Sequence, residues 1–217
     1  MNLEQARVNM IEQQIRPWGI LDETVLEAFG FIPRETFVPT EYQQLAFADV
    51  EIPIGNGESM MFPRVEARML QTLAVTPDDH CLEIGTGSGF VTACLAHLSK
   101  HVDSVDIHED FTRQAEARLL AQGLKNYSLH TGDALRSWSS TQLYNVIAVT
   151  GSLPNYIPRF EEQLAPGGRL FVIVGTAPAM EAMLITRQLD GEFTRVPLYE
   201  TSLKALVGAT PNPKFTF

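Results

Sequence analysis

One acidic residue and three alternate glycines form the stretch whose chemistry is easiest to recognise. Glu83 lies in an apolar run that begins at Cys81, and Gly85, Gly87 and Gly89 follow it before a second apolar run. The pattern predicts a strand, a tight turn and a helix. Glycines let the backbone turn sharply and approach a ligand closely, and the start of a helix presents unpaired N–H groups. This combination suits a nucleotide or nucleoside ligand.

The spacing of the glycines and the position of the acid indicate which kind of nucleoside the turn would bind. Dinucleotide-binding folds use Gly-x-Gly-x-x-Gly, whereas this chain has Gly-x-Gly-x-Gly with Glu83 two residues before the first glycine. A carboxylate at the end of that strand would repel a pyrophosphate and favour a ligand that carries an ammonium and a sulfonium. S-adenosylmethionine carries both. The alternative is a glycine-rich turn that binds no ligand.

Further acids follow later apolar stretches. Asp106 comes near the end of a second predicted strand, at the spacing expected of a ribose-binding acid. Asp133 follows a third apolar stretch and could lie on the adenine side. Ligands in parallel sheets bind outside the carboxyl ends of the strands, so these acids and Thr150 are expected at one edge of the sheet. Three acids at successive strand ends favour a ligand site over solvated surface charge.

The composition limits the kinds of partner. The chain has 217 residues, 45% hydrophobic residues and a formal net charge of −10, so one domain with an extension is expected. The charge argues against nucleic acid and against an anionic membrane surface. Cys81 and Cys94 are predicted to be buried and reduced. No apolar run is long enough to span a membrane and no signal pattern is seen, so a cytoplasmic protein is expected. The five histidines lack metal-ligand spacing, so no metal is expected.

Strands and helices alternate after the glycine turn, which predicts an α/β fold with a mostly parallel sheet and helices on both faces. The predicted strands are 81–84, 102–106, 126–130, 144–150, 169–174, 193–198 and 203–207. The predicted helices are 2–16, 23–29 (ended by Gly30), 63–73, the segment after the glycine turn, 109–122, 157–164 and 179–188.

The first 62 residues are predicted to form a helical leader within the same domain as residues 63–217. Residues 40–62 show little periodicity but are rich in apolar side chains. Long irregular loops in compact domains are usually functional or disordered, and apolar composition argues against disorder. We therefore expect a lid or wall over the ligand site.

Several motifs are similar to those of a known family. From about Met10 to Val174 the chain resembles the protein-L-isoaspartate O-methyltransferases. The glycine motif alone indicates only a methyltransferase, whereas the first two motifs below are much more specific. The motifs are Pro33-Arg34-x-x-Phe37-Val38-Pro39, Ala48-Asp49 with Ile52-Pro53-Ile54-Gly55-x-Gly57, Leu82 to Gly89, Val149-Thr150, and Gln163 to Leu170.

The resemblance implies a Rossmann-like methyltransferase fold with seven strands and an N-terminal helical extension. It implies S-adenosyl-L-methionine as cofactor and methyl transfer to the α-carboxylate of an isoaspartyl residue, whose ester then cyclises to a succinimide during protein repair. The cofactor-binding residues implied are Glu83, Gly85, Thr86, Gly87, Ser88, Gly89, Asp106, Ile107, Asp133 and Ala134. The acceptor-side residues implied are Ile54, Gly55, Met61, Phe62 and Arg64.

The acceptor half departs from the family pattern. The usual Thr-Ile-Ser-Gln-Pro is Ser59-Met60-Met61-Phe62-Pro63 here, so the family serine falls on Met61 and the glutamine on Phe62. Arg64 replaces an aromatic residue or histidine, and Asn145 replaces an acid. The catalytic residue is therefore left unassigned. Nearby candidates are Ser59, Asp49 and Thr150.

Three hypotheses follow from this pattern. The first is an isoaspartyl methyltransferase that works without the serine. The second is a methyltransferase of the same fold that acts on another carboxyl or hydroxyl acceptor, such as a less polar small molecule. The third is a cofactor-binding protein without catalysis. The expected partner is an isoaspartyl protein or peptide or another small acceptor, without nucleic acid or membrane, and the expected state is a monomer or homodimer.

Overall fold

A twisted sheet that begins with parallel strands and ends with two antiparallel ones forms the centre of the molecule. The computed structural model describes residues 2–136, 138 and 141–209. Among them, seven strands join in the spatial order β5-β4-β3-β6-β7-β8-β9. The strands are β1 (Ile52–Gly55), β2 (Glu58–Met60), β3 (His80–Ile84), β4 (His101–Asp106), β5 (Tyr127–Thr131), β6 (Tyr144–Leu153), β7 (Leu164–Thr176), β8 (Ala179–Arg187) and β9 (Phe193–Thr201).

The strands from β5 to β7 pair in parallel, whereas β8 is antiparallel to both β7 and β9. This is the predicted α/β architecture. The helices are α1 (Leu3–Met10), α2 (Glu23–Phe31), α3 (Pro63–Leu73), α4 (Phe90–Leu98), α5 (Glu109–Ala121) and α6 (Arg159–Glu162), with a π-helical turn at Ile11–Ile15 and 3-10 turns at Arg16–Trp18, Arg34–Thr36 and Thr40–Leu45.

Alternate residues of the central strands point into two apolar layers. Cys81, Val146 and Phe171 contribute to the layer that contains residues of α1 to α5. Their neighbours Leu82 and Ile147 contribute to the opposite layer, which contains α6. Alternation is the rule in strands, and both faces are buried here because helices cover both. The central parts of β6 and β7, residues 146–149 and 170–174, therefore consist of apolar residues alone.

The leader packs onto the sheet domain through aromatic side chains. Asp22 caps α2 by accepting hydrogen bonds from the backbone N–H groups of Thr24 and Val25. Phe29 and Phe37 each make an edge-to-face contact with Phe90 of α4, with ring centroids 5.4 and 5.8 Å apart. These contacts hold the leader over the first turn of α4, beside the glycine turn.

The predictions of the last helix and of the last strand were wrong. Residues 179–188 were predicted to be helical, but Ala179–Arg187 is strand β8, in register with β7 from Arg169↔Thr186 to Thr176↔Ala179. Residues 203–207 were predicted to be a strand, but they form only an isolated bridge, Ser152↔Ala205. The sheet needs an antiparallel strand next to β7, and this pairing overrides the helix propensity of an Ala- and Met-rich segment.

The loop region before α3 contains more regular structure than the sequence predicted. Residues 40–62 include the hairpin β1–β2, in which Ile52 pairs with Met60. Helix boundaries also differ. The predicted helix 2–16 is α-helical only at Leu3–Met10 and continues as a π-helical turn, α2 continues through Gly30 to Phe31, and α6 spans only Arg159–Glu162. Among the described residues, no helix is both long and apolar enough to cross a membrane.

Candidate functional site

A cleft opens at the carboxyl ends of β3, β4 and β6, where ligands bind in parallel sheets. It contains about 890 Å³ of space, counting its open mouth. The hairpin β1–β2 forms one wall and the segment after β9 forms another. The lining includes Glu51, Ile54, Glu58, Ser59, Ile84, Gly85, Gly87, Val105 to His108, Phe111, Gly132 to Leu135, Thr150, Gly151 and Leu203 to Val207.

The glycine turn brings the backbone against the floor of this cleft. Gly85 has a φ of +101°, and a Cβ there would lie 2.3 Å from Thr150 Oγ1. Gly89 has a φ of +87°, and its Cβ would lie 2.9 Å from the Cβ of Ala115 in α5. Both positions therefore require glycine for conformation and for space. Gly85 serves the close approach of the turn to Thr150, whereas Gly89 serves the packing of α4 against α5.

Glu83, at the end of β3 before the glycine turn, has one side-chain oxygen without a hydrogen-bond partner in the described part of the chain. The residue is fully buried. Its Oε2 accepts hydrogen bonds from Thr92 Oγ1 and, at 2.5 Å, from Ser104 Oγ. Its Oε1 is buried and accepts no hydrogen bond from any residue that the structure describes. Burial raises the pKa of the Glu83 carboxyl to about 8. A cation that reached Oε1 would restore the charged form and satisfy the oxygen.

Asp106 combines a cleft position with two backbone contacts. Its Oδ2 accepts from the Gly87 N–H at 2.8 Å and its Oδ1 from the His108 N–H at 2.9 Å. Burial raises the pKa of Asp106, and these two amide donors oppose the shift. Each carboxylate oxygen has about two lone-pair sites, so capacity remains for hydroxyl groups of a ligand. Asp106 thus fixes the turn and faces the cleft at once.

Replacing Asp106 with asparagine is expected to weaken nucleoside binding at least tenfold. A hydrogen bond to a charged group contributes roughly 1.5–3 kcal/mol. The matched control is Asp103→Asn, since Asp103 is also in β4 but bonds His130 Nε2 and Tyr144 Oη, both at 3.1 Å. Asp103 does not line the cleft. Calorimetry with S-adenosylhomocysteine measures both, and equal losses would show that the wrong acid was chosen.

A smaller pocket continues from the glycine turn toward the hairpin and α3. It contains about 310 Å³, counting its open side. Met60 and Met61 line it and are 5% and 4% exposed. Glu83 and Glu66 line it as well. The pocket therefore combines a flexible apolar wall with two buried carboxyl groups.

The wall at Met61 is held by a buried arginine. Arg34 Nη2 donates to the Met61 carbonyl at 3.1 Å, and Nε donates to the Ala46 carbonyl at 3.0 Å. Nη1 pairs with Glu66 Oε2, and the guanidinium lies 4.6 Å from the centroid of Phe90. Burial raises the pKa of Glu66 to about 7, and Arg34 opposes this shift. The Arg34 side chain thus links three segments: the loop at Ala46, the pocket wall at Met61, and α3 at Glu66.

The residues predicted for the cofactor converge on the cleft and the smaller pocket, with one exception. Ile107 and Ala134 line the cleft, and Thr86 and Ser88 line the smaller pocket. The Thr86 hydroxyl lies 2.6 Å from Ser104 Oγ. Asp133 lines the cleft, and its Oδ1 accepts from the Leu135 N–H at 2.9 Å. Gly89 is the exception, as it lines neither space.

The residues predicted for the acceptor divide between two places. Ile54 and Met61 line the smaller pocket, whereas Phe62 and Arg64 line a separate groove that shares no residue with it. Gly55 belongs to the turn of the hairpin, with a φ of +101°. The predicted acceptor set is therefore only partly brought together.

The three catalytic candidates are also in different settings. Ser59 lines both the cleft and the smaller pocket. Thr150 Oγ1 lies within hydrogen-bond distance of the carbonyls of Ile84 and Gly85, at 2.9 and 2.6 Å, which ties its hydroxyl to the floor. Asp49 pairs with Arg64, outside both spaces. Ser59 and Thr150 both place a hydroxyl at the site, and that of Thr150 is engaged by the two carbonyls.

The segment after β9 was not predicted as part of the site. Leu203 to Val207 line the cleft. Ser152 fixes the segment through hydrogen bonds with Leu203, Lys204 and Leu206. Lys204 reaches the hairpin and donates to the Gly57 carbonyl and to Glu58 Oε1. Its alternating apolar residues favoured a strand, and no local signal indicated that it crosses the edge of the sheet.

Comparisons with known proteins agree with this geometry. A sequence model of the family described as protein-L-isoaspartate(D-aspartate) O-methyltransferase matches residues 5–209. A protein-L-isoaspartate O-methyltransferase of Koribacter versatilis (strain Ellin345) is 36% identical over 202 residues, which cover 93% of this chain and 90% of the relative. One of Serratia proteamaculans (strain 568) is 40% identical over 169 residues, covering 78% and 81%.

Solved structures share the fold. A protein-L-isoaspartate O-methyltransferase from Plasmodium falciparum, solved in complex with S-adenosyl-L-homocysteine, superposes with a TM-score of 0.81 at 17% identity. The match covers 95% of this chain and 98% of that one. A second protein-L-isoaspartate O-methyltransferase structure also gives a TM-score of 0.81, at 22% identity, and covers 95% and 67% of the two chains. At these identities the likeness shows the common fold.

Proposed function

The chain belongs to the protein-L-isoaspartate(D-aspartate) O-methyltransferase family, and we propose that it methylates the α-carboxylate of isoaspartyl residues with S-adenosyl-L-methionine. The observation that carries the proposal is Glu83, a buried carboxyl with one unpartnered oxygen at the carboxyl edge of the sheet. That oxygen lies beside a glycine turn that approaches a ligand closely. A methionine-type ammonium fits this site, and a pyrophosphate does not.

The residues of the cleft and of the smaller pocket fit the proposed cofactor. Glu83 Oε1 would hold the ammonium, Asp106 the ribose hydroxyls, and Asp133 with Ala134 the adenine side. Gly85 lets the turn lie against Thr150, where a Cβ would clash with the threonine hydroxyl. When bound, S-adenosylmethionine supplies an electrophilic methyl group on a sulfonium.

Methylation of the proposed acceptor requires little acid–base catalysis from the protein. A carboxylate is ionised at neutral pH, so no residue has to take a proton from it. What the protein contributes is alignment of the reacting groups and exclusion of water. Ile54, Met60 and Met61 form apolar walls for this purpose, and Arg34 fixes the last of them through its carbonyl. We propose this division of roles in place of a single catalytic residue.

We further propose that the partner is a polypeptide and that the reaction takes place in the cytoplasm. Cys81 and Cys94 are both free and buried, which suits a reducing compartment. The formal net charge of −10 disfavours nucleic acid as a partner. These points support the proposal without depending on the identity of the acceptor.

A second candidate acceptor is favoured by the chemistry of the smaller pocket. Met60, Met61 and the carboxyl of Glu66 line it where the family pattern has a serine at position 61. A less polar hydroxyl or carboxyl compound would suit such walls. One assay separates the candidates: methyl transfer to an isoaspartyl peptide, to its aspartyl control and to a metabolite extract. Labelling of the extract alone would refute the isoaspartyl proposal.

Met61→Ser is expected to raise the rate on an isoaspartyl peptide a few-fold, and less than about tenfold. A serine hydroxyl donates a hydrogen bond, whereas a thioether donates none. A missing donor can cost on the order of a hundredfold when charge develops beside it. Here the acceptor loses charge, so the effect should be smaller. The measurement is the rate at saturating cofactor.

Met60→Ser is the matched control for this substitution, because Met60 lines the same pocket at nearly the same exposure. It should not raise the rate. A fall in rate with Met61→Ser would contradict the prediction, and would mean that the thioether belongs to a competent isoaspartyl pocket.

A further inference from the structure

A second groove lies on the outer side of the segments that form the acceptor side of the site. It contains about 740 Å³, counting its open side, and shares no lining residue with the cleft or the smaller pocket. Phe62 lines it and directly follows Met61. Ser202 lines it and directly precedes Leu203, which lines the cleft. The groove and the site are therefore lined by residues that are adjacent in sequence at two places, Met61–Phe62 and Ser202–Leu203.

One half of the groove is a fixed stack of two aromatic rings and a guanidinium. The Arg64 guanidinium carbon lies 4.7 Å from the ring centroid of Trp18 and 4.4 Å from that of Phe62. Arg64 also pairs with Asp49. Trp18 is 53% exposed in spite of this stack. The stack thus presents a flat apolar wall whose own charge is already neutralised.

The other half contains hydrogen-bond donors that nothing in the described chain uses. Arg68 lies 4.0 Å from the ring centroid of Tyr199, and it has no hydrogen-bond or ion-pair partner among residues 2–136, 138 and 141–209. Tyr199 Oη is buried and also has no partner. Burial raises the pKa of Tyr199 to about 12, so the phenol remains a donor. Buried polar groups normally have partners.

We propose that this groove binds the carboxylate of an aspartate or glutamate side chain of the polypeptide acceptor, close in sequence to the residue that is methylated. A carboxylate can accept from the planar guanidinium of Arg68 and from Tyr199 Oη together. Trp and Arg are typical of energetically important interface positions. Glu200 also lines the groove but makes no ion pair with either arginine in the described chain. The inference rests on the proposed function.

The first test is kinetic and uses a series of isoaspartyl peptides. A single glutamate is moved through three positions on each side of the isoaspartyl residue, with a glutamine peptide as the reference for each position. At one position, glutamate should raise kcat/KM about fivefold, as expected for one charged contact at a partly exposed site. Arg68→Gln should remove this preference and leave the rate on the glutamine peptide unchanged.

The matched control is Arg113→Gln, the same change at an exposed arginine of α5. It should keep the preference. Arg68→Lys keeps the charge without the planar fork and should retain only part of the preference. If the peptides are methylated and no position shows a preference that depends on Arg68, the proposal is overturned.

The second test measures binding without methyl transfer. The chain has two tryptophans, Trp18 and Trp138, so Trp138→Phe leaves Trp18 as a fluorescent reporter inside the groove. The probes are the glutamate peptides of the whole series and their glutamine references, each with alanine in place of the isoaspartyl residue. A saturable change in emission that Arg68→Gln abolishes supports the site even if no peptide is methylated, which would refute only the proposed function. The absence of any saturable change would overturn the groove assignment.

Discussion

Replacement of Glu66 by alanine is expected to lower the free energy of unfolding by about 3–5 kcal/mol. Arg34 is fully buried and Glu66 is 2% exposed. The substitution would leave the guanidinium with two carbonyl acceptors, those of Ala46 and Met61, and no counter-ion. An unpaired buried charge is among the costliest defects in a protein core. Urea unfolding followed by circular dichroism measures the loss.

Two further variants test whether burial is the cause. Glu12→Ala breaks the exposed pair between Glu12 and Arg16 and should cost less than about 1 kcal/mol. Arg34→Met combined with Glu66→Leu removes both charges and should recover part of the stability lost in Glu66→Ala. A loss below about 1 kcal/mol for Glu66→Ala alone would contradict the prediction, since it would mean that water reaches Arg34.

The parallel half of the sheet could be predicted because its signals are local. Val146 to Val149 form a continuous apolar run, as expected for a strand buried on both faces. Glu83 and Asp106 each lie near the end of such a run and before a helix. The alternation of strand and helix then defines the topology, because parallel strands need crossover connections. The predicted strands at 81–84, 102–106, 126–130 and 144–150 were confirmed within one to three residues at each end.

The prediction for the antiparallel end of the sheet was wrong because β8 forms through pairing with strands that are distant in sequence. Ala, Met, Leu and Glu dominate residues 179–184, and these are strong helix formers. The period-2 signal is present only in part: Met180, Ala182 and Ile185 are the buried positions of β8. Pairing with β7 on one side and β9 on the other determines the strand. Helix propensity summed over these few residues contains no information about pairing with β7 and β9.

The site divides in the same way between local and distant signals. Glu83 lies within a few residues of the glycine turn, and Asp106 and Asp133 each follow a later predicted strand, so each signal is local and the structure brings them to one edge. The contact from Arg34 to Glu66 and Met61 spans about 30 residues, and that from Lys204 to Glu58 spans 146. No residue pattern near Arg34 or Lys204 encodes these partners. The roles assigned to individual cofactor and acceptor residues stay predictions until variants are measured.

Glu83→Gln is expected to weaken the binding of S-adenosylhomocysteine on the order of a hundredfold, about 3 kcal/mol. Glutamine keeps the shape of the side chain but cannot offer a charged acceptor to an ammonium at the Oε1 position. Burial holds the pKa of the native Glu83 at about 8, so a bound cation must first displace a proton. Native affinity should therefore rise roughly twentyfold from pH 6 to pH 7.5, because the deprotonated fraction of Glu83 rises from about 1% to about a quarter while the ammonium of the ligand stays mostly charged. The glutamine variant should lack this rise.

The stability of the Glu83→Gln variant is an independent measurement, and it is expected to change in the opposite direction to the ligand affinity. The ordinary pKa of a glutamate is 4.5 and the native value is about 8. Between these pH values the native state binds more protons than the unfolded state, so Glu83 makes the protein less stable as pH rises through this window. Glu83→Gln removes that dependence. The variant should gain stability over the native protein from pH 5 to pH 8 while it loses ligand affinity. Thermal unfolding and calorimetry on the same samples check both. If the variant loses stability at pH 8, Glu83 holds the fold together, and its unpartnered oxygen does not mark a cation site.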